Sequence, residues 1–311
     1  MARKKIGLVG SGQIGGVLAS LFATKEVGDV VMVDVAEGIP QGKSLDIWEG
    51  SPIASVDSRV TGTNNYEDLK GADVVIITAG VPRKPGMSRD DLLNINLDIM
   101  KKVGTNLKNY CKDAFVIVVS NPLDVMVWSC QKLTDFDPAR VCGMAGLLDS
   151  SRLRAFIAAE AGVSNEDVTA MVLGGHGDTM VPLLRYCTIN GIPVTKFIAT
   201  EKLNKLVERT KQAGGEVVNL LKTGSAFVSP ALAAFEMADS YLKDKKRVIV
   251  SAAYLNGQYG IKGYYVGVPV IIGANGIEKI IELEFTPDEK AAFDASFKHV
   301  KELVDAAATK L

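Results

Sequence analysis

One of the two histidines in the sequence lies in a glycine-rich turn that is suited to proton transfer. His176 follows Gly174-Gly175 and precedes Gly177-Asp178, directly after an apolar run over residues 168–173. Glycines on both sides permit a sharp turn and leave room for a substrate beside the ring. An imidazole takes up and releases a proton near neutral pH. A histidine satisfied inside a tight turn is the alternative, and the other motifs of the sequence favour the catalytic interpretation.

Two further pairs of charged residues are candidates for binding an anionic substrate. Asp149 and Arg152 are three residues apart in a segment that is predicted to be helical, so they share one helical face. Arg83 and Arg89 are six residues apart in a loop over residues 79–89 that is rich in Gly and Pro. For Asp149 and Arg152 the alternative is a weak intrahelical ion pair. For the two arginines taken alone, a solvated loop is the better interpretation.

A dinucleotide-binding motif begins the chain. The apolar run 6–9 ends in Gly10-Ser11-Gly12-Gln13-Ile14-Gly15, a G-x-G-x-x-G, and an amphipathic helical pattern follows. Glycines at these places allow a pyrophosphate to approach the free N–H groups at the start of a helix. Asp34 follows a second apolar run, at the offset where an acid binds the adenosine ribose. No Arg or Lys is adjacent to hold a 2′-phosphate, so NAD is predicted rather than NADP; a glycine turn in another α/β protein is the alternative.

The first half of the sequence alternates strand and helix patterns. This alternation predicts an α/β fold with a Rossmann-type, doubly wound parallel sheet. Ligands bind outside the carboxyl ends of the strands in such sheets. Two loops leave from those ends, residues 79–89 and Ser120-Asn121-Pro122. The predicted strands cover residues 6–9, 30–33, 55–61, 74–78 and 115–119, and the longest predicted helix covers 89–110.

The second half has a different pattern, which predicts an α+β domain. We place the boundary in the glycine-containing segment 143–146, giving an NAD-binding domain over 1–144 and a substrate-binding, catalytic domain over 145–311. Asn190-Gly191 predicts a type I′ hairpin turn. The other predicted elements are strands over 168–173, 248–253 and 264–272, and helices over 201–221, 230–243 and 287–311.

Composition limits the function classes. The chain has 311 residues, 47% of them hydrophobic and 23% charged, with a net charge of −1. Such a charge provides no basic field for nucleic acid or anionic membranes. The four cysteines form no C-x-x-C pair and, with two histidines, no metal-ligand spacing, so reduced, buried thiols and no metal site are expected. Without a signal peptide or a membrane-length apolar run, a cytoplasmic protein is expected.

The order and spacing of these motifs resemble the lactate/malate dehydrogenase superfamily, and within it the lactate-dehydrogenase-like malate dehydrogenases. The resemblance runs from about residue 5 to the C-terminal helix. It implies NAD as the cofactor and reversible hydride transfer between NAD and a 2-hydroxy acid. The motifs that carry it are residues 10–15, Asp34, the Arg83/Arg89 loop, Ser120-Asn121-Pro122, Leu148-Asp149-Ser150-Ser151-Arg152 and Gly174-Gly175-His176-Gly177-Asp178.

The resemblance also implies catalytic roles. His176 takes the hydroxyl proton of the substrate and returns it in the reverse reaction, while Asp149 orients and stabilises the charged ring. Arg152 binds the C1 carboxylate through two hydrogen bonds, a geometry that a planar guanidinium provides. Arg89 polarises the reacting carbonyl, and Asn121 binds the substrate oxygen.

One position bears on the choice of substrate. Arg83 stands where lactate dehydrogenases of the family typically carry Gln, and in the malate dehydrogenases an Arg there meets the distal carboxylate of oxaloacetate. The implied cofactor contacts are Gly10, Ser11, Gly12, Gln13, Ile14, Gly15, Asp34, Asn96, Val119, Ser120 and Asn121.

The sequence therefore predicts an NAD-dependent (S)-malate dehydrogenase. A lactate dehydrogenase, or a dehydrogenase of another 2-hydroxy acid, is the first alternative. A non-catalytic NAD-binding regulator is the alternative from another class, but it would not need His176, Asp149 and three arginines together. The resemblance also implies a homotetramer or a homodimer, and one chain does not determine which.

Overall fold

The computed structural model describes residues 3–82 and 89–311, which form a central sheet with helices on both faces. The strands are β1 (Lys5–Val9), β2 (Asp29–Val33), β3 (Val60–Thr63), β4 (Val74–Ile77), β5 (Phe115–Val118), β6 (Val141–Gly143), β7 (Val168–Thr169), β8 (Val172–Leu173), β9 (Val181–Pro182), β10 (Thr188–Ile189), β11 (Ile192–Pro193), β12 (Arg247–Asn256), β13 (Lys262–Gly273) and β14 (Gly276–Ile280). The helices are α1 (Gln13–Thr24), α2 (Ile39–Glu49), α3 (Ser51–Ala54), α4 (Arg89–Tyr110), α5 (Leu123–Thr134), α6 (Gly146–Ala161), α7 (Thr200–Leu221), α8 (Val228–Leu242) and α9 (Pro287–Ala308).

The first half forms a parallel sheet in the order β3-β2-β1-β4-β5-β6. Strand β1 lies between β2 and β4, with Ile6 opposite Val30 on one side and Val74 on the other. Every residue of β4 and β5 is buried, because helices cover both faces of the sheet. The predicted α/β fold with a doubly wound parallel sheet is confirmed.

The same sheet continues into the second half of the chain. Strand β12 pairs antiparallel with the short β6, where Ala252 lies opposite Gly143, and β13 and β14 extend the edge. Sequence patterns predicted β12 and β13 but not their position, since pairing between strands more than 100 residues apart leaves no local signal. Gly143 permits the contact, because a Cβ there would lie 3.0 Å from the Ala252 Cβ.

Several local predictions need correction. The apolar run 168–173 is not one strand: β7 joins a three-stranded sheet with β10 and β11, whereas β8 pairs with β9. The region predicted as strand 55–61 contains only the start of β3, and α2 was not predicted, since its apolar residues are largely exposed. The hairpin turn is confirmed, with φ of +48° at Asn190 and +80° at Gly191.

Three hydrophobic clusters stabilise the fold. Two lie on opposite faces of the large sheet, and the third lies beneath the small sheet of β7, β10 and β11. The four cysteines are buried and free, as predicted. Among residues 3–82 and 89–311, no helix is both long enough and apolar enough to cross a membrane.

Candidate active site

The glycine turn between β1 and α1 has the geometry of a phosphate cradle. Gly10 has a φ of +105°, and a Cβ there would lie 2.7 Å from the Ala79 backbone nitrogen. A Cβ on Gly15 would lie 2.0 Å from the Gly10 oxygen, so both positions require glycine. Gly12 precedes α1 and faces open space, with no atom within 4 Å of a Cβ built there. These residues fit a dinucleotide, whose pyrophosphate would meet the N-terminus of α1.

Asp34 is fixed at the carboxyl end of β2, next to this turn. Its Oδ2 accepts the Ser11 N–H at 2.6 Å and its Oδ1 accepts the Ala36 N–H at 3.0 Å. This holds the carboxylate at the place where the sequence predicts the ribose contact. The structure adds Lys43, which comes from α2 and donates from Nζ to the Gly12 oxygen at 2.8 Å. Sequence reasoning missed this cation because it is 31 residues away from Gly12.

Asn96 ties together the two loops that leave the next strand ends. Its Oδ1 accepts the Val81 N–H at 2.9 Å, and its Nδ2 donates to the backbone oxygens of Val81 and Asn121 at 3.2 and 2.7 Å. The side chain is buried, so the residue orders the loops rather than presenting its amide to solvent. Ser120 adds a second link, because its hydroxyl donates to the Ala79 oxygen at 2.6 Å. The Asn121–Pro122 peptide is cis.

Two adjoining cavities connect the glycine turn to the histidine. The first, of about 320 Å³, extends from the turn past the two loops to the exposed segment 223–225. The second, of about 260 Å³, shares Ile14, Val119 and Asn121 with the first and also contains Arg152 and His176. The residues of the first cavity would hold a dinucleotide, and the second cavity lies between that site and the candidate catalytic residues.

His176 and Asp149 form a hydrogen-bonded pair at the end of this path. Nδ1 of His176 lies 2.8 Å from Asp149 Oδ2, and the carboxylate is only 2% exposed. Because a carboxylate accepts, we assign the Nδ1 proton to the imidazole, which leaves Nε2 for proton exchange with a substrate. Within residues 3–82 and 89–311, no protein group hydrogen-bonds to Nε2.

Arg152 completes the cluster from the same helix as Asp149. Its Nη1 donates to Asp149 Oδ1 at 3.3 Å, as the three-residue spacing predicted. The guanidinium is largely buried but still lines the cavity, where it provides a positive charge beside the imidazole. A carboxylate would be held here through charge-assisted hydrogen bonds.

The electrostatics favour a protonatable imidazole. Burial is the largest influence and lowers the pKa of His176, but the charge and the hydrogen bond of Asp149, together with the charge of Asp124, outweigh it. The nearby Arg152 opposes them. The net result is a raised pKa of His176, which suits a group that alternates between its neutral and charged forms.

The turn that carries His176 is anchored by residues that sequence reasoning missed. The Gly174 N–H donates to the Gly267 oxygen at 2.9 Å, and the Gly175 N–H donates to Ser296 Oγ at 2.9 Å. The His176 N–H donates to Asp124 Oδ2 at 2.9 Å. Asp124 and Ser296 lie 52 and 121 residues away in the sequence, and Gly267 lies inside strand β13. No local sequence feature therefore identifies these partners.

Two predicted site residues cannot be placed. Arg83 lies outside the described residues, and so does the side chain of Arg89, the first residue of α4. The cluster that is described contains an imidazole, the carboxylate that hydrogen-bonds to it and a guanidinium, beside the cavity at the glycine turn. This set of groups can move a proton to or from a bound anion while a hydride passes between that anion and a cofactor.

Comparison with known proteins identifies the class. The family model described as "lactate/malate dehydrogenase, NAD binding domain" matches residues 4–143, and the one described as "lactate/malate dehydrogenase, alpha/beta C-terminal domain" matches residues 147–310. The chain therefore belongs to the lactate/malate dehydrogenase family. The resemblance and the NAD cofactor predicted from the sequence are both confirmed.

Individual relatives carry both names of the family. A malate dehydrogenase of Geotalea daltonii is 60% identical, with 98% of this chain and 99% of the relative covered. The crystal structure of Cryptosporidium parvum malate dehydrogenase is 46% identical with a TM-score of 0.97, covering 99% of both chains. That of the lactate dehydrogenase of the same organism, complexed with lactic acid and nicotinamide adenine dinucleotide, is 47% identical with a TM-score of 0.95, covering 98% of both chains.

Proposed function

We propose that this protein is an NAD-dependent malate dehydrogenase that interconverts (S)-malate and oxaloacetate. The observation that carries the proposal is the placement of His176 and Arg152 in the cavity beside the one at the glycine turn, with the buried Asp149 hydrogen-bonded to both. NAD, when bound, accepts the hydride from the substrate. His176 accepts the hydroxyl proton at Nε2, Asp149 stabilises the resulting imidazolium, and Arg152 holds the C1 carboxylate.

The other roles rest on the sequence. Arg89 polarises the carbonyl, Asn121 binds the substrate oxygen and Arg83 binds the distal carboxylate. Asn96 contributes to cofactor binding by joining the loops of Val81 and Asn121, as its three hydrogen bonds suggest. We propose residues 1–144 as the NAD-binding domain and 145–311 as the catalytic domain.

The relatives include both malate and lactate dehydrogenases, so the main question is which of the two substrates this enzyme prefers. The 60% identical relative is named malate dehydrogenase, whereas structures of both kinds match at 46–47% identity. The difference in substrate chemistry is one carboxylate, for which we propose Arg83 as the partner. With pyruvate, which has a methyl group there, the guanidinium would have no partner, and loss of a partner for a buried charge costs about 3–5 kcal/mol.

The test is NADH oxidation with oxaloacetate, pyruvate and other 2-oxo acids. We expect kcat/KM for oxaloacetate to exceed that for pyruvate by at least roughly several hundredfold, from the cost of the unpaired charge. Arg83→Gln should reduce the oxaloacetate value sharply and raise the pyruvate value by less. Arg59→Gln, a change of the same kind at an exposed position before β3, is the control and should leave the ratio unchanged. A ratio that barely moves in Arg83→Gln would remove the main support for malate.

We also propose that the enzyme is a cytoplasmic homotetramer or homodimer. Apolar side chains crowd the outer surface of α2 and α3, where Leu45, Trp48 and Ile53 are 52%, 55% and 90% exposed. Large apolar side chains that are exposed on neighbouring helices are typical of an interface. Light scattering after gel filtration should give a mass of two or four chains of 33.2 kDa, and a stable monomer would contradict it.

A further inference from the structure

A buried carboxylate, Asp124, lies beneath the histidine turn and is not one of the proposed catalytic residues. Asp124 lies in the first turn of α5 and is 7% exposed. Its Oδ2 accepts the His176 N–H at 2.9 Å. Its Oδ1 is buried and, within the described ranges 3–82 and 89–311, has no hydrogen-bond donor. Buried carboxylate oxygens normally accept hydrogen bonds, so packing alone does not explain why a carboxylate is buried here with one oxygen unpaired.

The contact between this carboxylate and the turn is close. A Cβ on Gly175 would lie 3.4 Å from Asp124 Oδ2 and 2.6 Å from Val300 Cγ2 of α9. Glycine at 175 therefore lets the turn lie directly against α5 and α9. The free N–H groups at the start of α5 also favour a negative charge there.

The charged neighbours of His176 divide by helix. Asp149 and Arg152 face it from α6 and Asp124 from α5, and of these Asp149 raises its pKa most. The charge of Asp124 also raises the pKa of His176, while burial raises the pKa of Asp124 itself to about 6. Two further cavities also border His176. Among the described residues, the other titratable groups that line them are Asp178 on the turn, His299 on α9, and Glu208, Arg209, Lys211 and Glu216 on α7.

We propose that Asp124 is a second positioning residue for the proton relay, which fixes the backbone of His176 and, as an anion, favours its imidazolium form. The inference rests on the proposed function in taking His176 as the group that exchanges the substrate proton. Asp149 then holds the ring from one side, and Asp124 holds the backbone and supplies a second negative charge from the other.

Asp124→Asn separates the two contributions. The amide oxygen can accept the same His176 N–H, but the charge is removed. Removal of a nearby opposite charge lowers the pKa of a histidine by about 1 unit or more. Reduction of the oxo acid requires the imidazolium, so its kcat/KM should fall about tenfold at pH values above the His176 pKa of the parent. Oxidation requires the neutral ring, so its kcat/KM should persist to a pH about 1 unit lower.

The scarcity of histidine permits a direct measurement. With only His176 and His299 in the chain, histidine-selective ¹³Cε1 labelling gives two NMR signals, and His299→Gln assigns them. We expect the titration midpoint of His176 to be lower in Asp124→Asn than in the parent by about 1 unit. This measurement needs no substrate.

Ser296→Ala is the matched control, because it removes an uncharged anchor of the same turn. It should leave the His176 midpoint in place and change both reaction directions equally. If Asp124→Asn behaves in the same way, the anchor is merely structural and the proposal is overturned. If the amide of Asp124→Asn disturbs folding, Asp124→Ser gives a second test. Failure of both variants to fold would show that Asp124 is needed for folding, and would also overturn the proposal.

The two proposals fail separately. A lowered His176 midpoint with no turnover of any 2-oxo acid would refute the malate dehydrogenase function and support the electrostatic role of Asp124. Turnover of oxaloacetate, together with a His176 midpoint that Asp124→Asn does not change, would support the malate dehydrogenase function and overturn the electrostatic role of Asp124.

Discussion

Asp149→Asn tests the centre of the site most directly. The Asp149 carboxylate, 2% exposed, accepts from His176 Nδ1 at 2.8 Å and from Arg152 Nη1 at 3.3 Å. Both neighbours are donors, whereas an amide has one accepting oxygen and one donating NH₂. Asparagine can therefore satisfy only one of them and turns its NH₂ towards the other.

The expected loss follows from these two contacts. A hydrogen bond to a charged group contributes about 1.5–3 kcal/mol. Losing one of the two bonds, removing the charge that strengthens the other and turning an NH₂ towards a donor together cost about 3–6 kcal/mol. If that stabilisation is needed in the transition state, kcat/KM falls by roughly 10²–10⁴ in both directions. The pKa of His176 should also fall, because the largest influence that raises it is removed while burial remains. The reduction should therefore lose more activity as pH rises, since it needs the imidazolium.

Steady-state kinetics in both directions across pH 5.5–9, with NADH affinity from fluorescence titration, would check this. NADH affinity should change little, because Asp149 does not line the cavity at the glycine turn. Asp98→Asn is the control, since Asp98 pairs with Lys101 at the same three-residue spacing but is 74% exposed. It should change activity less than about twofold, as exposed pairs contribute little. An Asp149→Asn enzyme within tenfold of the parent would refute the reasoning.

Three further outcomes are expected. His176→Asn should keep NADH binding but lose roughly 10²–10⁴ in turnover, the range for a general base, and a loss below tenfold would make the ring structural. NADH should be preferred over NADPH by roughly 10²–10³ in kcat/KM, because the Asp34 carboxylate would repel a 2′-phosphate. Comparable values would instead point to Lys43 as a phosphate partner. Asp124 has a native pKa of about 6 against 3.8 for the ordinary carboxyl, so the native state binds more protons between these values. Its contribution to stability should thus decline by about 2–3 kcal/mol as pH rises from 4 to 7, and urea unfolding of Asp124→Asn should lack this decline.

The sequence by itself determined the parts of the site that lie within one strand–turn–helix unit. Gly10 to Gly15 and Asp34 follow strands with a clear apolar pattern. A G-x-G-x-x-G turn between a strand and a helix is typical of dinucleotide binding. Asp149 and Arg152 share a face because a helix repeats every 3.6 residues. Resemblance to a family then connected these units to His176. The local patterns also indicated the parallel sheet, since strands buried on both faces read as continuous apolar runs.

Only the tertiary structure decided which distant residues meet. His176 reaches Asp149 across 27 residues, Asp124 across 52, and Gly175 reaches Ser296 across 121. These contacts form because α5, α6 and α9 pack around the turn. A serine or aspartate in a helix has no local sequence feature that identifies its partner. The pairing of β12 with β6 is decided in the same way, by close packing of small residues and not by the pattern of either strand. Short-range periodicity specifies elements and their faces, whereas the contacts that set the pKa of His176 arise only when those faces are brought together.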